Sequence, residues 1–264
     1  FTPRGSGVRI SRRLPAFALA RYGSASQPIA SARRLTVVEF RPSSGICFSR
    51  AFDPASFDML QPIAADLRNL GLRNGDTVLV RCAARAMKVS SGSPATALFD
   101  GIMEAIGPSG TLVALAFTPD FYFWQKKRAA QFPFHPRAKP DVGAFSQIVL
   151  DHPLSVRSRH PTNSFVALGP NADEIARGHD ENETAFYPLK RLIEFGGKLL
   201  LVGCVESSPG FSTVHRVQED LGLADKTLMS RKRICAVQEG DHVRWFKRRD
   251  ISGCSAGFGK FYSR

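Results

Sequence analysis

Three short apolar runs constrain this chain more than any other feature. Residues 77–81 read TVLVR, residues 111–118 read TLVALAFT, and residues 198–203 read KLLLVG. Each has the length of a strand, and a continuous apolar run marks a strand buried on both faces. The segments between them have the other periodicity. Residues 94–106 form a helical pattern, with Pro94 at its first position, Ser93 as a candidate N-cap, and Gly107, Pro108, Ser109 and Gly110 ending it. Residues 52–70 place Phe57, Leu60, Ile63, Leu67 and Leu70 three or four apart, which predicts an amphipathic helix that kinks or starts at Pro62. Shorter helical pieces follow at 145–150, 173–177, 188–194 and 212–221, with a strand at 165–168. This alternation predicts an α/β fold: a largely parallel central sheet flanked by helices. From Arg233 onward two strand-like pieces meet at Glu239, Gly240 and Asp241, a C-terminal β-hairpin signal.

Composition narrows the class. Of 264 residues, 43% are hydrophobic and 22% charged, which excludes a wholly disordered chain. The apolar runs fall far short of the roughly 20 residues a membrane helix needs. Cys47, Cys82, Cys204, Cys235 and Cys254 are odd in number and none are spaced as a C-x-x-C pair. They predict free thiols in a reducing, cytoplasmic setting and no metal site. The net charge of +13 is uneven: residues 1–50 hold nine Arg and one acid, Glu39, while the other bases and acids leave only +5. Residues 1–50 therefore read as a basic, poorly ordered N-terminal extension, with the composition of a transit peptide or of a solvated tail. Residues 51–264 read as the folded domain. The basic segment has little helical or strand periodicity, so nucleic acid is not an expected partner.

Four segments have residue types suited to chemistry. The loop 82–93 joins the first buried strand to a helix N-terminus, where unpaired backbone N–H groups and the helix dipole suit a phosphate, with Arg85 and Lys88 nearby. The same loop also reads as an ordinary strand-to-helix connection. No phosphate-binding P-loop pattern is present. The second segment is Ser212, Thr213, Val214, His215, Arg216, Val217, Gln218 and Glu219. His215 falls in the first turn of a helix, where the positive dipole end favours the neutral imidazole that a general base requires. Glu219 lies four residues on, on the same face, placed to orient the ring. The third, Arg159 to Phe165, contains His160 and reads as a turn entering a strand. The fourth, Gly178 to Glu183, is a compact acidic loop, either a solvated connection or a site for a cationic amine. After residue 118 the chain turns at Pro119 and Asp120 into an aromatic, basic excursion at a strand end, where α/β proteins place ligands.

Taken together, the blocks GDTVLVRCAAR (75–85), ALFDGIMEAIGPSGTLVALAFTP (97–119), RSRHPTNSFVALGPNA (157–172), GHDENETAFYPLKRLIEFGGKLLLVGC (178–204) and SSPGFSTVH (207–215) resemble, in order and spacing, the aminoglycoside 3-N-acetyltransferase family. The resemblance implies an acyltransferase that moves acetyl from acetyl-CoA, as cosubstrate, to a primary amine. It implies CoA contacts from Arg81, Cys82, Ala83, Arg85, Ser91, Gly92 and Ser93. It gives His215 the role of general base. The family commonly has Glu three residues after this His; here Gln218 stands there and Glu219 follows as a substitute. The family often has His-Ser-Ser where this chain has Arg81, Cys82 and Ala83, and a second His where this chain has Asn163. These departures leave a noncatalytic CoA- or sugar-binding relative as the alternative.

The expected acceptor is a small-molecule amine, an aminoglycoside or a related amino sugar. A polycation needs an acidic pocket, for which Asp180, Glu181 and Glu206 are the expected contacts. No metal and no membrane partner are expected.

Overall fold

The computed structural model describes residues 35–39, 48–52, 63–84, 87, 92–203, 212–222 and 232–248. In chain order the elements begin with β1 (Leu35–Glu39), β2 (Phe48–Phe52), α1 (Ile63–Asn69), β3 (Thr77–Cys82), α2 (Pro94–Ile106) and β4 (Thr111–Leu115). An excursion holds β5 (Phe121–Tyr122), a 3-10 turn (Phe123–Gln125), α3 (Lys126–Ala129), α4 (Ala144–Asp151) and β6 (Val156–Arg157). Then come β7 (Phe165–Leu168), α5 (Ala172–Ala176), α6 (Tyr187–Glu194), β8 (Lys198–Val202), α7 (Ser212–Asp220), β9 (Arg233–Glu239) and β10 (His242–Lys247).

Among the described residues, seven strands form one sheet in the order β2-β1-β8-β3-β4-β7-β6. The three apolar runs lie side by side at its centre and are parallel: Val78 pairs with Leu112 on one side and with Lys198 on the other. Antiparallel strands flank this centre, β7 beyond β4 and β1 beyond β8. The expected α/β class, with its parallel centre, flanking helices and C-terminal hairpin, is what the fold shows.

Alternate residues of each central strand feed two cores. Val78, Val80, Leu112, Ala114, Leu200 and Val202 pack with Leu67, Leu98, Ile102 and Val149 of α1, α2 and α4. Leu79, Val113, Leu199 and Leu201 point the other way, against Ile175, Leu189 and Leu192 of α5 and α6. The result is helix, sheet, helix, as a doubly buried parallel sheet demands. Gly101 lets α1 approach α2, since a Cβ there would lie 2.7 Å from Ile63 Cγ2.

Two expectations change. The domain boundary drawn at 50/51 falls inside a strand pair: β1 and β2 pair with one another, and β1 hydrogen-bonds β8 from Leu35↔Val202 to Glu39↔Lys198. Sheet growth therefore reaches back into the basic segment. Ser93 has the extended backbone of an N-cap (φ −88°, ψ 124°), and Pro94 opens α2 as expected, but the Ser93 side chain makes no capping hydrogen bond. The helix predicted over 52–70 starts at Ile63, directly after Pro62; Phe57 and Leu60 lie outside the described residues.

A second, three-stranded sheet of order β10-β9-β5 docks at one end of the first. Phe134 joins it through backbone bonds to Ala236 and Gln238, and packs with Cys235, Val237 and Phe246.

The turn after β7 is the tightest backbone approach. Gly169 sits at φ +127°, and a Cβ there would lie 2.2 Å from the Gly110 carbonyl oxygen and 2.8 Å from Thr111 Cα. Gly169→Ala should cost more than about 2 kcal/mol of folding free energy, measured by urea denaturation.

Candidate active site

The C-terminal ends of the parallel strands face the small sheet, and a cleft of about 560 Å³ opens between them. Phe117 and Thr118, just past β4, form its floor with Thr162 and Asn163, which lead into β7. Phe121, Phe132, Arg128 and Arg233 come from the excursion and the small sheet. The position after β4 is the one the sequence marked; the fold adds the second wall.

Asp120 fixes that wall. It accepts a hydrogen bond from Arg233 Nε at 2.9 Å and pairs with Arg248, while its backbone carbonyl accepts from Arg233 Nη2 at 2.9 Å. Burial alone would raise this carboxyl; the two guanidiniums outweigh it and hold the group below the ordinary carboxylate range.

Beneath the small sheet lies a buried cluster that the sequence showed only as a turn. His160 stacks on His179 with ring centroids 4.9 Å apart and meets Phe246 of β10 edge-on at 5.5 Å. His160 Nδ1 accepts from the backbone N–H of Asn163 at 3.0 Å. Ser158 Oγ accepts from Phe165 N–H at 2.9 Å and lies 2.9 Å from His179 Nδ1. Desolvation pushes His160 well down and His179 to about 3, so both rings are neutral. Burial also pushes the neighbouring Cys235 thiol up to about 12, which leaves it inert as a nucleophile.

His215 is the fourth residue of α7 and is half-buried. Its ring stacks on Phe186 with centroids 4.8 Å apart; Phe186 meets Phe117 edge-on at 6.1 Å, and Phe117 lines the cleft. Two aromatic contacts thus connect the histidine to the cleft wall. Gln218 Oε1 lies 3.1 Å from His215 Nδ1. A carbonyl oxygen only accepts, so the contact selects the tautomer with hydrogen on Nδ1 and the lone pair on Nε2.

Glu219 does not hold the position expected of it. Its Oε1 accepts from the backbone N–H of Phe186 at 3.0 Å, and Oε2 stands 3.6 Å from Arg216. The carboxylate thereby fixes the ring under His215, while the residue one position earlier meets the imidazole itself.

Arg81 and Cys82 end β3 and are half-buried, and Ala83 N–H donates to the Val202 carbonyl at 2.8 Å. Gly92 and Ser93 are exposed at the N-terminus of α2. These residues bring the two ends of the expected CoA loop to the same edge of the sheet as the cleft. Arg85, Ser91 and Glu206 lie outside the described residues. In the acidic loop, Asp180 Oδ1 closes its own turn on the Asn182 N–H at 2.8 Å, and Glu181 pairs with Arg244 at 2.7 Å. Arg244 is shared between Glu181 and Glu239. Among the described residues no group of His, Cys, Asp and Glu could hold a metal ion, and no helix is long and apolar enough to cross a membrane.

The fold and the site define an α/β protein with its cleft at a parallel strand end and a histidine beside it. The family model for aminoglycoside 3-N-acetyltransferases matches residues 79–263, and the chain belongs to that family. It is 33% identical over 156 residues to aminoglycoside N(3)-acetyltransferase VII of Streptomyces paromomycinus, covering 53% of this chain and 54% of that protein. It is 28% identical over 214 residues to aminoglycoside N(3)-acetyltransferase IX of Micromonospora chalcea, covering 74% and 73%. The matched region thus spans only about half the length of the first of these relatives. Among solved structures, AAC-IIIb in binary complex with CoASH superposes with a TM-score of 0.60 at 25% identity, covering 76% of this chain and 82% of that one. Aminoglycoside acetyltransferase AAC(3)-Xa superposes with a TM-score of 0.58 at 27% identity, covering 73% and 71%.

Two outcomes follow from the site. Below about pH 6.5 the unfolded chain binds a proton on each of His160 and His179, while the folded chain leaves His179 neutral down to about pH 3. Stability should therefore fall on acidification, by about 1.4 kcal/mol per pH unit for each ring. Urea denaturation from pH 7 to pH 4.5 should show this, with a shallower slope in His179→Gln. Gln218→Glu should place a carboxylate on His215 Nδ1 and raise the pH at which that ring titrates by about one pH unit, read from its NMR ring protons.

Proposed function

We propose that this chain transfers the acetyl group of acetyl-CoA to a primary amine of an aminoglycoside or related amino sugar, with His215 as general base. The observation that carries the reading is the imidazole itself: held at Nδ1 by Gln218 and stacked on Phe186, which in turn meets the cleft residue Phe117. Nε2 takes a proton from the acceptor nitrogen as that nitrogen attacks the thioester carbonyl. A carbon–nitrogen bond forms, the carbon–sulfur bond breaks, and CoA leaves as the thiol after receiving a proton. The acidic-loop contacts expected from Asp180 and Glu181 are not part of this proposal.

The CoA complex of AAC-IIIb supports acetyl-CoA as the donor. The exposed Gly92 and Ser93 at the start of the thirteen-residue helix α2 suit an anionic cosubstrate, with Arg81 at the end of the adjoining strand. Support for an amine acceptor comes from a structure of AAC(3)-IVa in complex with a gentamicin, 25% identical with a TM-score of 0.54. Cys235 is a free thiol, in keeping with a reducing, cytoplasmic setting.

One observation favours a second reading. Gln218 is neutral, so its contact at Nδ1 brings no charge to offset the imidazolium that the reaction creates. A noncatalytic relative that binds CoA or a sugar would tolerate this.

A thiol-release assay with acetyl-CoA and a panel of aminoglycosides and amino sugars separates the two. The proposal expects turnover, a loss of at least about 10²-fold in kcat for His215→Ala, and unchanged CoA binding by that variant. Saturable CoA binding with no thiol release from any amine supports the second reading.

A further inference from the structure

We infer that Glu219 is a positioning residue for the base: its carboxylate acts on His215 through Phe186, and together with Arg216 it clasps the helix that carries the base to the start of α6. This rests on the acetyl-transfer reading and deepens it.

Helix α7 has little else to fix it. Val217 and Leu221 are exposed, and none of the described side chains of α7 belongs to either core of the large sheet. Among the described residues α7 packs chiefly on α6. With so little apolar area buried, the polar contacts of α7 decide where it sits. Placement matters here, because a general base acts only within hydrogen-bond reach of the proton it removes.

The clasp has two points. Glu219 is buried, with its side chain only 3% exposed, and its Oε1 accepts from the Phe186 N–H at 3.0 Å. Arg216 reaches Thr184 Oγ1 at 3.4 Å, stands 3.6 Å from Glu219 and also pairs with Asp220. Thr184 and Phe186 are the residues that lead into α6. Phe186 holds the N-cap position of that helix, which has no side-chain cap of its own. Glu219 therefore does from a neighbouring helix what the acid of a capping box does from the third helical position. A buried carboxylate is costly once its partners move away, so the contact resists drift between the two helices.

The contacts close a triangle around the imidazole. Glu219 lies one turn after His215 and holds the backbone of Phe186, and the Phe186 ring stacks on His215 at 4.8 Å with the ring planes 26° apart. The stack sets the plane of the imidazole. Gln218, at Nδ1, sets its rotation within that plane. Together they set the direction of Nε2, and both depend on where Phe186 and α7 are held. Arg216 stands beside the Glu219 carboxylate, so the influence of Glu219 on the base runs through position rather than through charge.

The test uses the full chain in the thiol-release assay with acetyl-CoA, gentamicin and glucosamine. It also follows the His215 ring protons by NMR, assigned by their loss in His215→Ala. Stacking on a phenyl face shifts these protons upfield. Glu219→Ala should lower kcat at least about tenfold, leave the KM for acetyl-CoA unchanged and move the ring protons downfield. Glu219→Gln keeps the length and an acceptor oxygen without the charge, and should restore most of kcat and of the upfield shift. Glu219→Asp keeps the charge but is one methylene too short, and should behave like the Ala variant. The Gln and Asp variants carry the comparison alone if Glu219→Ala does not fold. An Asp variant that outperforms the Gln variant overturns the inference in favour of a charge effect. A loss of kcat with the ring protons unmoved overturns it as well. If neither amine is acetylated, the acetyl-transfer reading fails on its own and the NMR arm decides the clasp: ring protons that move in the Asp variant and stay in the Gln variant uphold it, and any other pattern overturns it.

Discussion

The pairing of Asp120 with Arg233 and Arg248 is the contact on which the site depends. Asp120 follows β4 of the large sheet, whereas Arg233 opens β9 and Arg248 follows β10. A buried carboxylate left without partners is costly, and the cost is removed only when the small sheet sits where its two arginines reach the acid. The ion group therefore selects one orientation of the small sheet, and the cleft is the space that orientation leaves. The apolar contacts of Phe134, Cys235, Val237 and Phe246 supply adhesion but less direction. Arg233 also lies over the Tyr122 ring at 4.5 Å, which ties β5 to the same point.

The histidine pair below this contact meets the same requirement by the opposite route. His160 and His179 are buried, and desolvation keeps both rings neutral, although His179 Nε2 has no hydrogen-bond partner among the described residues. His160 Nδ1 takes the N–H groups of Asn163 and Thr162, and Ser158 sits against His179. Thr118 donates to the Pro161 carbonyl, and Ser164 to the carbonyl of Ala116 at 2.6 Å. Residues 158–164 thus form a rigid polar platform between the sheet end and the hairpin. Asn163, where the family often has a second histidine, faces the cleft from that platform.

How far the sequence reveals this depends on the range of the interaction concerned. The doubly buried strands are visible because a continuous apolar run of strand length has few places to go but a sheet centre, and α2 because Pro94 and Gly107 bracket it. Strand β1 is hidden: residues 35–39 read LTVVE, but they sit in an arginine-rich segment, and their pairing with β8 is a long-range event. Strands β5 and β6, of two residues each, have no pattern long enough to detect. At the site, helical spacing places both Gln218 and Glu219 on the face of His215, so periodicity alone cannot choose between them. The choice is made by Phe186, whose backbone N–H draws Glu219 away. In the acidic loop, the pairing of Glu181 with Arg244 is invisible because Arg244 lies far along the chain.

Gln218 and the arginines of the cleft belong to one electrostatic argument. For an amine to attack a thioester it must first be neutral. A carboxylate-lined cleft attracts a polycation, but it also stabilises the protonated form of the very nitrogen that has to react, and a strong base is then needed to remove the proton. Here the cleft walls carry an excess of guanidinium charge, which favours loss of that proton. The base can accordingly be weaker, and a histidine oriented by an amide rather than by a carboxylate is a weaker base. On the proposed reaction, the replacement of a charged partner by Gln218 and the positive character of the cleft are matched changes. The first lowers the basicity at Nε2, and the second lowers the demand on it.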